Sequence, residues 1–332
     1  MNHPTTIGVL VPSDGTAPTT PPADRPIGRA ALRLAKQGLD VVFGDQVHAG
    51  MITGFRATES GWAPATNVPV FGIHDRFPSQ LRSKTYAQIL DGIVGLPIGN
   101  SPEVTLLCRD KVATQSALQP LGIAMPEVES DPTRFQETLH QWGQGFLKPR
   151  FGALGIGVSR VAPGDSLPTH TDGVVPHRPD PTILQKAVLP PAGWASRTVR
   201  VLIQRMPTGG WFSGIPVVRQ SREDPVANAA RGAEVAPGPT VLDAATLRRI
   251  GDAIQHICDA LDQLEVANRM VEAGVDLVLD EWHHPWLIEV NSRPRGRMEV
   301  LATLEPENYL DAHINACARP LQVIAHWMEA ED

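Results

Sequence analysis

Between Gly274 and Pro294 the chain reads GVDLVLDEWHHPWLIEVNSRP, and no other stretch constrains the fold as strongly. Val275, Leu277 and Leu279 alternate with Asp276, Val278 and Asp280. A polar turn follows over 281–285, and then Trp286, Ile288 and Val290 alternate with Leu287, Glu289 and Asn291. Two alternating runs around a turn predict an antiparallel hairpin. A period of two places Glu289 and Asn291 on one face, and the register can bring Asp276 opposite them. Two carboxylates and an amide oxygen on one face suit a hard divalent cation such as Mg²⁺, carried in with a phosphate ligand. The same residues also suit a half-exposed hairpin with solvated acids, and the hairpin alone leaves both readings open.

The rest of the chain narrows the class. A chain of 332 residues can bury a substantial core and fits two or three lobes. A net charge of −7 argues against a general nucleic-acid binder. Cys108, Cys258 and Cys317 are far apart, odd in number and form no CxxC, which argues against a disulfide framework or zinc knuckle and fits a reducing cytoplasm. No apolar run approaches the roughly 18 residues of a membrane span. The opening MNHPTTIGVLVPSDG lacks the basic and apolar regions of a signal peptide. The expectation is a soluble cytoplasmic protein with no nucleic-acid or membrane partner; nothing sets an oligomeric state.

The order of elements predicts three units: an N-terminal α/β domain over 1–105, a central unit over 106–190 and a C-terminal unit over 191–332. In the first, Ile7–Val11 is a buried strand and 12–26 a Pro- and Thr-rich loop. Ile27–Gln37 is a helix stopped by Gly38, and Leu39–Phe43 is a second strand. This order suggests a small parallel sheet. No GxGxxG occurs, so no dinucleotide is placed there. Val68–Ile73 reads as a further strand ending at His74, Asp75 and Arg76, where an Asp–Arg ion pair is the expected arrangement. Pro97–Asn100 reads as a turn.

In the central unit, Asp110 caps a helix from Lys111 to Leu121, strained near Pro120 and closed by Gly122. Lys111 in the first turn opposes the helix dipole, consistent either with an anionic partner or with a solvated lysine. Phe146–Leu147 is a short strand ended by Lys148, followed by a loop with Gly152, Gly155 and Gly157 before Val158–Val161. Glycines let backbone N–H groups approach a polyphosphate and the lysine adds a compact charge, but this is not a Walker loop. A plain glycine-rich hairpin has the same appearance. Thr182–Val188 is a strand leaving the unit.

In the C-terminal unit, Arg197–Gln204 and Trp211–Val218 read as an antiparallel pair that could line a pocket with Arg200, Arg205 and Arg219. Leu247, Ile250, Ile254, Ile257 and Leu261 mark an amphipathic packing helix. Residues 308–331 read as helical with a kink or break at Pro320. His283 and His284 fall at the hairpin tip, and no Ser-His-Asp or Cys-His set stands out.

Taken in order, these pieces resemble the ATP-grasp superfamily over about 75–297. Asp110-Lys111 opening a helix before LGIAMP resembles the start of its ATP-binding lobe. FLKP with Gly152–Gly157 resembles its phosphate-covering loop. Arg219, Asn228 and Arg231-Gly232 resemble the R…N…GG segment of glutathione-synthetase-like and glutamate-adding ligases, and Asp276, Glu289 and Asn291 resemble the metal-binding D…ExN set. DRFPSQ, GGWFSG and WLIEVNSRP resemble most closely the YheC/YheD-type branch, associated with spore coats. Ala233, Arg295 and Gly274 depart from the pattern at positions that bear on substrate.

The resemblance implies an α/β protein of α+β lobes with an ATP-grasp fold: a small parallel N-terminal lobe, then two antiparallel-sheet lobes that clamp ATP. Lys111 and Lys148 would contact phosphates, Gly152, Gly155 and Gly157 would cover them, and Gln185, Lys186 and Val188 would meet the adenine. One or two Mg²⁺, replaceable by Mn²⁺, would bridge ATP to Asp276, Glu289 and Asn291. Arg200 and Arg219 would stabilise the transferred phosphoryl group, with Asn228, Arg293 and Arg295 toward an acidic substrate. The implied activity is an ATP-dependent carboxylate–amine ligase joining an amino acid, small peptide or peptide-like metabolite to an amine through an acylphosphate. A kinase acting on a hydroxyl, or an ATP-binding coat or scaffold protein without turnover, are the alternatives.

Overall fold

The computed structural model describes residues 6–11, 20–76, 95–152, 155–171, 180–226, 232–294 and 298–331. Every residue of β1 (Thr6–Leu10) is buried, as a strand covered on both faces of a parallel sheet requires. Helix α1 (Pro26–Ala35) starts at a proline, whose missing N–H costs nothing at the first helical position, and leads to β2 (Asp40–Gly44), parallel to β1. Sequence periodicity gives these elements to within two residues. It does not give β3 (Val47–His48), β4 (Met51–Thr58) and β5 (Gly61–Pro69), an antiparallel extension beyond β2. The pleat of β4 is interrupted at Gly54, where φ is 156° and an added Cβ would lie 2.0 Å from the Phe43 carbonyl oxygen. The expected strand over Val68–Ile73 is two strands: β5 ends at Pro69, and β6 (Gly72–Asp75) joins β1 in parallel. The expected turn at Pro97–Asn100 contains β7 (Ile98–Gly99), parallel to β6. This first sheet is therefore mixed rather than purely parallel.

Ser101 and Pro102 begin α2 (Pro102–Arg109), a helix whose cap and first-turn proline are legible in the sequence although its periodicity is too short to read. Asp110 then caps α3 (Lys111–Leu118), its Oδ1 accepting from the N–H groups of Val112 and Ala113 at 3.0 and 3.3 Å. The strained end is a 3₁₀ turn through Pro120, closed by Gly122 at φ 84°. An antiparallel sheet follows from β8 (Val128–Glu129), β9 (Gly145–Pro149), β10 (Ser159–Val161), β11 (His170–Thr171) and β12 (Asp180–Lys186), backed by α4 (Phe135–Trp142). Lys148 lies inside β9 rather than beyond its end.

The third sheet is built on β13 (Ser196–Arg205). The run Trp211–Val218, expected as one strand, is split into β14 (Trp211–Ser213) and β15 (Val217–Ser221), both paired to β13. β16 (Glu234–Pro237) lies at its edge. Helix α5 (Ala244–Asp262) buries Ile250, Ile254, Ile257 and Leu261 against β13, β17 (Glu272–Leu279) and β18 (Pro285–Asn291). After α6 (Glu299–Leu304), α7 (Pro306–Glu331) continues as one helix across Pro320 instead of breaking there. Although its sequence position puts α7 with the C-terminal unit, Ile314, Cys317, Leu321, Ile324 and Met328 pack with Ile7, Val9, Ala31 and Leu34 in the core of the first lobe. No described helix is long and apolar enough to cross a membrane.

Asn100, fully buried at the end of β7, ties the first lobe to the third sheet. Its side chain donates to the carbonyls of Glu272 and Ser292 and accepts from the N–H groups of Val271 and Glu272. Asp75 and Arg76 do not pair with each other. Arg76 reaches Glu272 at 2.6 Å and Asp75 holds Arg293, so both residues bind the lobes together.

Candidate active site

A cleft of about 380 Å³ opens between the second and third sheets. On its third-sheet wall the β17–β18 hairpin pairs Asp276 with Glu289 and Gly274 with Asn291, as the alternation requires. One detail differs. Leu277 faces Leu287 while Asp276 faces Glu289, so β18 carries an extra residue, Ile288, in a bulge. Strict alternation would put Leu287 on the cleft side and Ile288 in the core. Instead Leu287 and Val290 are each 1% exposed within the core, and Ile288, Glu289 and Asn291 all line the cleft.

Arg200 stands directly opposite Asp276 across the β13–β17 ladder and grips both carboxylate oxygens with its guanidinium fork. Asn291 Nδ2 donates to the same carboxylate at 2.9 Å, and Arg219 stands 3.9 Å away. Gly274 makes room for this fork: a Cβ there would lie 3.3 Å from Arg200 Cδ and 3.2 Å from Pro294 Cβ. Burial works against the charge on Arg200, but the Asp276 carboxylate outweighs it and raises the pKa. Burial and the adjacent Arg200 charge lower that of Arg219. Arg205 does not join them. Five residues beyond Arg200, it falls on the opposite face of the strand, pairs with Asp262 at 2.9 Å and stacks on Trp211.

The opposite wall carries the lysines. Lys111 Nζ donates to the Gly152 carbonyl at 2.5 Å, joining the start of α3 to the glycine loop. Lys148 Nζ donates to Gln185 Oε1. Burial, and then the nearby Lys111 charge, bring the Lys148 ammonium from 10.5 down to about 7, with Glu289 opposing. Gly152, Gly155, Gln185, Lys186 and Val188 line the cleft, whereas Gly157 shapes the loop at φ 70° without lining it. Lys186 also pairs with Glu127 at 2.6 Å. Arg293 reaches the cleft edge but is held by the Asp75 carboxylate and by the Asp75 carbonyl at 3.2 Å. Asn228 and Arg295 lie outside the described residues. Several lining residues carry no sequence motif: Arg109 at the end of α2, Arg160 on β10, and the exposed apolar Ile156 and Leu189. Arg109, the residue before Asp110-Lys111, and Ile156, inside the glycine loop, are marked by their neighbours in sequence; Arg160 and Leu189 are brought in only by folding.

Two facing carboxylates repel unless a cation lies near, and among the described residues only the Arg200 fork and Arg219 form ion pairs with either, both at Asp276. No cluster of three His, Cys, Asp or Glu residues exists among the described residues, so a divalent ion here would take a third protein oxygen from the Asn291 amide. The amide's orientation is exchangeable, and the set fits a hard ion that completes its shell with phosphate or water.

Comparison with solved structures agrees over nearly the whole chain. D-alanyl-alanine synthetase A from Vibrio cholerae O1 biovar eltor superposes with a TM-score of 0.55 at 14% identity, covering 96% of this chain and 98% of that one. VanG D-Ala:D-Ser ligase from Enterococcus faecalis gives 0.60 at 12%, covering 97% and 100%. N5-carboxyaminoimidazole synthase from Aspergillus clavatus, in complex with ADP, gives 0.58 at 15%, covering 96% and 76%. No curated protein matches the chain by sequence. The fold is the ATP-grasp fold. Within it, residues 177–312 match the family described as YheC/D like ATP-grasp.

Proposed function

We propose that the protein is an ATP- and Mg²⁺-dependent carboxylate–amine ligase acting on an amino acid, small peptide or peptide-like acid. One observation carries this reading: a single cleft sets Lys111, Lys148 and a glycine loop on one wall against Asp276, Glu289, Asn291, Arg200 and Arg219 on the other. Its likeness to enzymes named as D-Ala ligases supports the same reaction class. Bound ATP supplies a phosphoryl group that turns a carboxylate into an acylphosphate open to attack by an amine.

The chain's own residues do the positioning and charge neutralisation that phosphoryl transfer requires. Lys111 and Lys148 hold phosphates beneath Gly152 and Gly155. Gln185, Lys186 and Val188 meet the base, and the exposed Ile156 and Leu189 cover apolar ring surface. Asp276, Glu289 and Asn291 hold Mg²⁺, in competition with the Arg200 fork. Arg200, once released, and Arg219 face the transferred group. Asn228 and Arg295 are assigned to the substrate side, and Arg293, held by Asp75, frames that edge of the cleft. We keep 1–105 as the N-terminal α/β unit and assign nucleotide cover to 106–190 and metal binding to 191–332, with α7 returning to the first unit. Three buried cysteines suit a reducing cytoplasm.

The test is phosphorus NMR of Mg·ATP with the protein and pooled amino acids and short peptides, beside Glu289→Gln. ADP and inorganic phosphate should appear only with the pool, and turnover should fall by about 100-fold or more in the variant. AMP with pyrophosphate would overturn the acylphosphate route. A phosphorylated product with no need for an amine would make the enzyme a kinase.

A further inference from the structure

Eight cationic side chains border the cleft against two carboxylates, Asp276 and Glu289, in a protein whose net charge is −7. Lys186 and Arg293 are matched from outside, by Glu127 and Asp75. Six cations then face two carboxylates, a surplus of four positive charges among the described residues. A nucleoside triphosphate brings about four negative charges and each Mg²⁺ cancels about two, so Mg·ATP leaves at least two positive charges unmatched. Uncompensated charge in a partly desolvated cleft is costly, and the co-substrate is the remaining source of anions.

The surplus also has an address. Lys111, Lys148 and Arg160 each donate to a protein oxygen, on Gly152, Gln185 and Gln144. Among the described residues, Arg109 and Arg219 do not. Arg109 rests on the Phe151 ring at 5.7 Å, and Arg219 stands 3.9 Å from the Asp276 carboxylate, which Arg200 already grips. Guanidinium forks without acceptors are suited to planar oxyanions, which they bind with two parallel hydrogen bonds.

We propose that the acid co-substrate is at least a dianion, with Arg219 meeting the carboxylate to be activated and Arg109 a second anionic group. This rests on the ligase reading above. It also moves acid recognition away from Arg293, whose fork is committed to Asp75.

The test is calorimetric titration at fixed ionic strength into the full chain loaded with Mg²⁺ and a non-hydrolysable ATP analogue. Tricarballylate, with three carboxylates, is compared with butyrate, which has one. Tricarballylate should bind at least roughly tenfold tighter. Arg109→Gln should remove most of that advantage while leaving butyrate and nucleotide affinity within about twofold, and Arg109→Lys should restore part of it. Equal affinity for the two acids, or an Arg109→Gln variant with the advantage intact, would overturn the proposal. Loss of nucleotide affinity in Arg109→Gln would also overturn it, making Arg109 a phosphate ligand. Failure of the analogue to bind the unmodified protein would instead overturn the ligase reading on which the proposal stands.

Discussion

The proposed contact between Lys148 and the nucleotide phosphates predicts that binding is linked to proton uptake. The side chain is 4% exposed, and burial followed by the Lys111 charge lowers its pKa from 10.5 to about 7. Below pH 7 the folded and unfolded chains both hold the proton, and the fold bears the whole cost of a buried ammonium. Between about 7 and 10.5 only the unfolded chain keeps it, so this group's contribution to stability rises with pH across that window and is level above it. At about 1.4 kcal/mol per pKa unit, the full swing is roughly 5 kcal/mol. A polyphosphate beside Lys148 restores the charged form, so at pH 8 binding should take up nearly one proton. The dissociation constant for Mg·ATP analogue should then rise about tenfold from pH 6 to pH 8, and about tenfold more by pH 9. Calorimetry at pH 8 in two buffers of different ionisation enthalpy reads the uptake directly. Lys148→Arg, charged at every pH used, should abolish the buffer dependence. Identical heats in both buffers, with affinity flat from pH 7 to 9, would show that Lys148 is charged before the nucleotide arrives.

Asn100→Ala removes a side chain that makes four buried hydrogen bonds between the first lobe and the third sheet. It should lower stability by about 3 kcal/mol in urea denaturation, and a loss below about 1 kcal/mol would mean that water replaces them. Arg205→Ala should cost about 1 kcal/mol through its pairing with Asp262 and its stacking on Trp211, while nucleotide and acid affinity stay unchanged in the same titrations.

Local periodicity carried the parts of this fold whose information is local. The alternation over 275–291 is enough to pair Asp276 with Glu289, because a period of two and a short turn leave few registers. The Asp110 cap, the α5 stripe and the glycine loop were legible for the same reason. The sequence also holds finer signals: Ser101-Pro102 marks the start of α2, and Pro69 and Pro216 lie where the expected single strands divide. Proline has no N–H for the ladder, so a run containing it is an edge or an end.

What tertiary structure decided is of another kind. Whether an arginine faces the cleft depends on which strand it sits on and on the parity of its position, so Arg200 and Arg219 converge while Arg205 turns to the core face. Arg293 looks like a substrate ligand in the sequence and is instead bound to Asp75, more than two hundred residues earlier. The Ile288 bulge reverses the faces of Leu287 and Ile288, because one unpaired residue shifts every alternating position before it. The last helix returns to cover the first sheet because apolar surface is buried wherever a complementary face lies, not where the chain order suggests. Side-chain type and spacing thus determined what chemistry this chain could assemble. Only strand pairing and burial decided which of its charges remain unsatisfied among the described residues, and those are the ones proposed to bind a substrate.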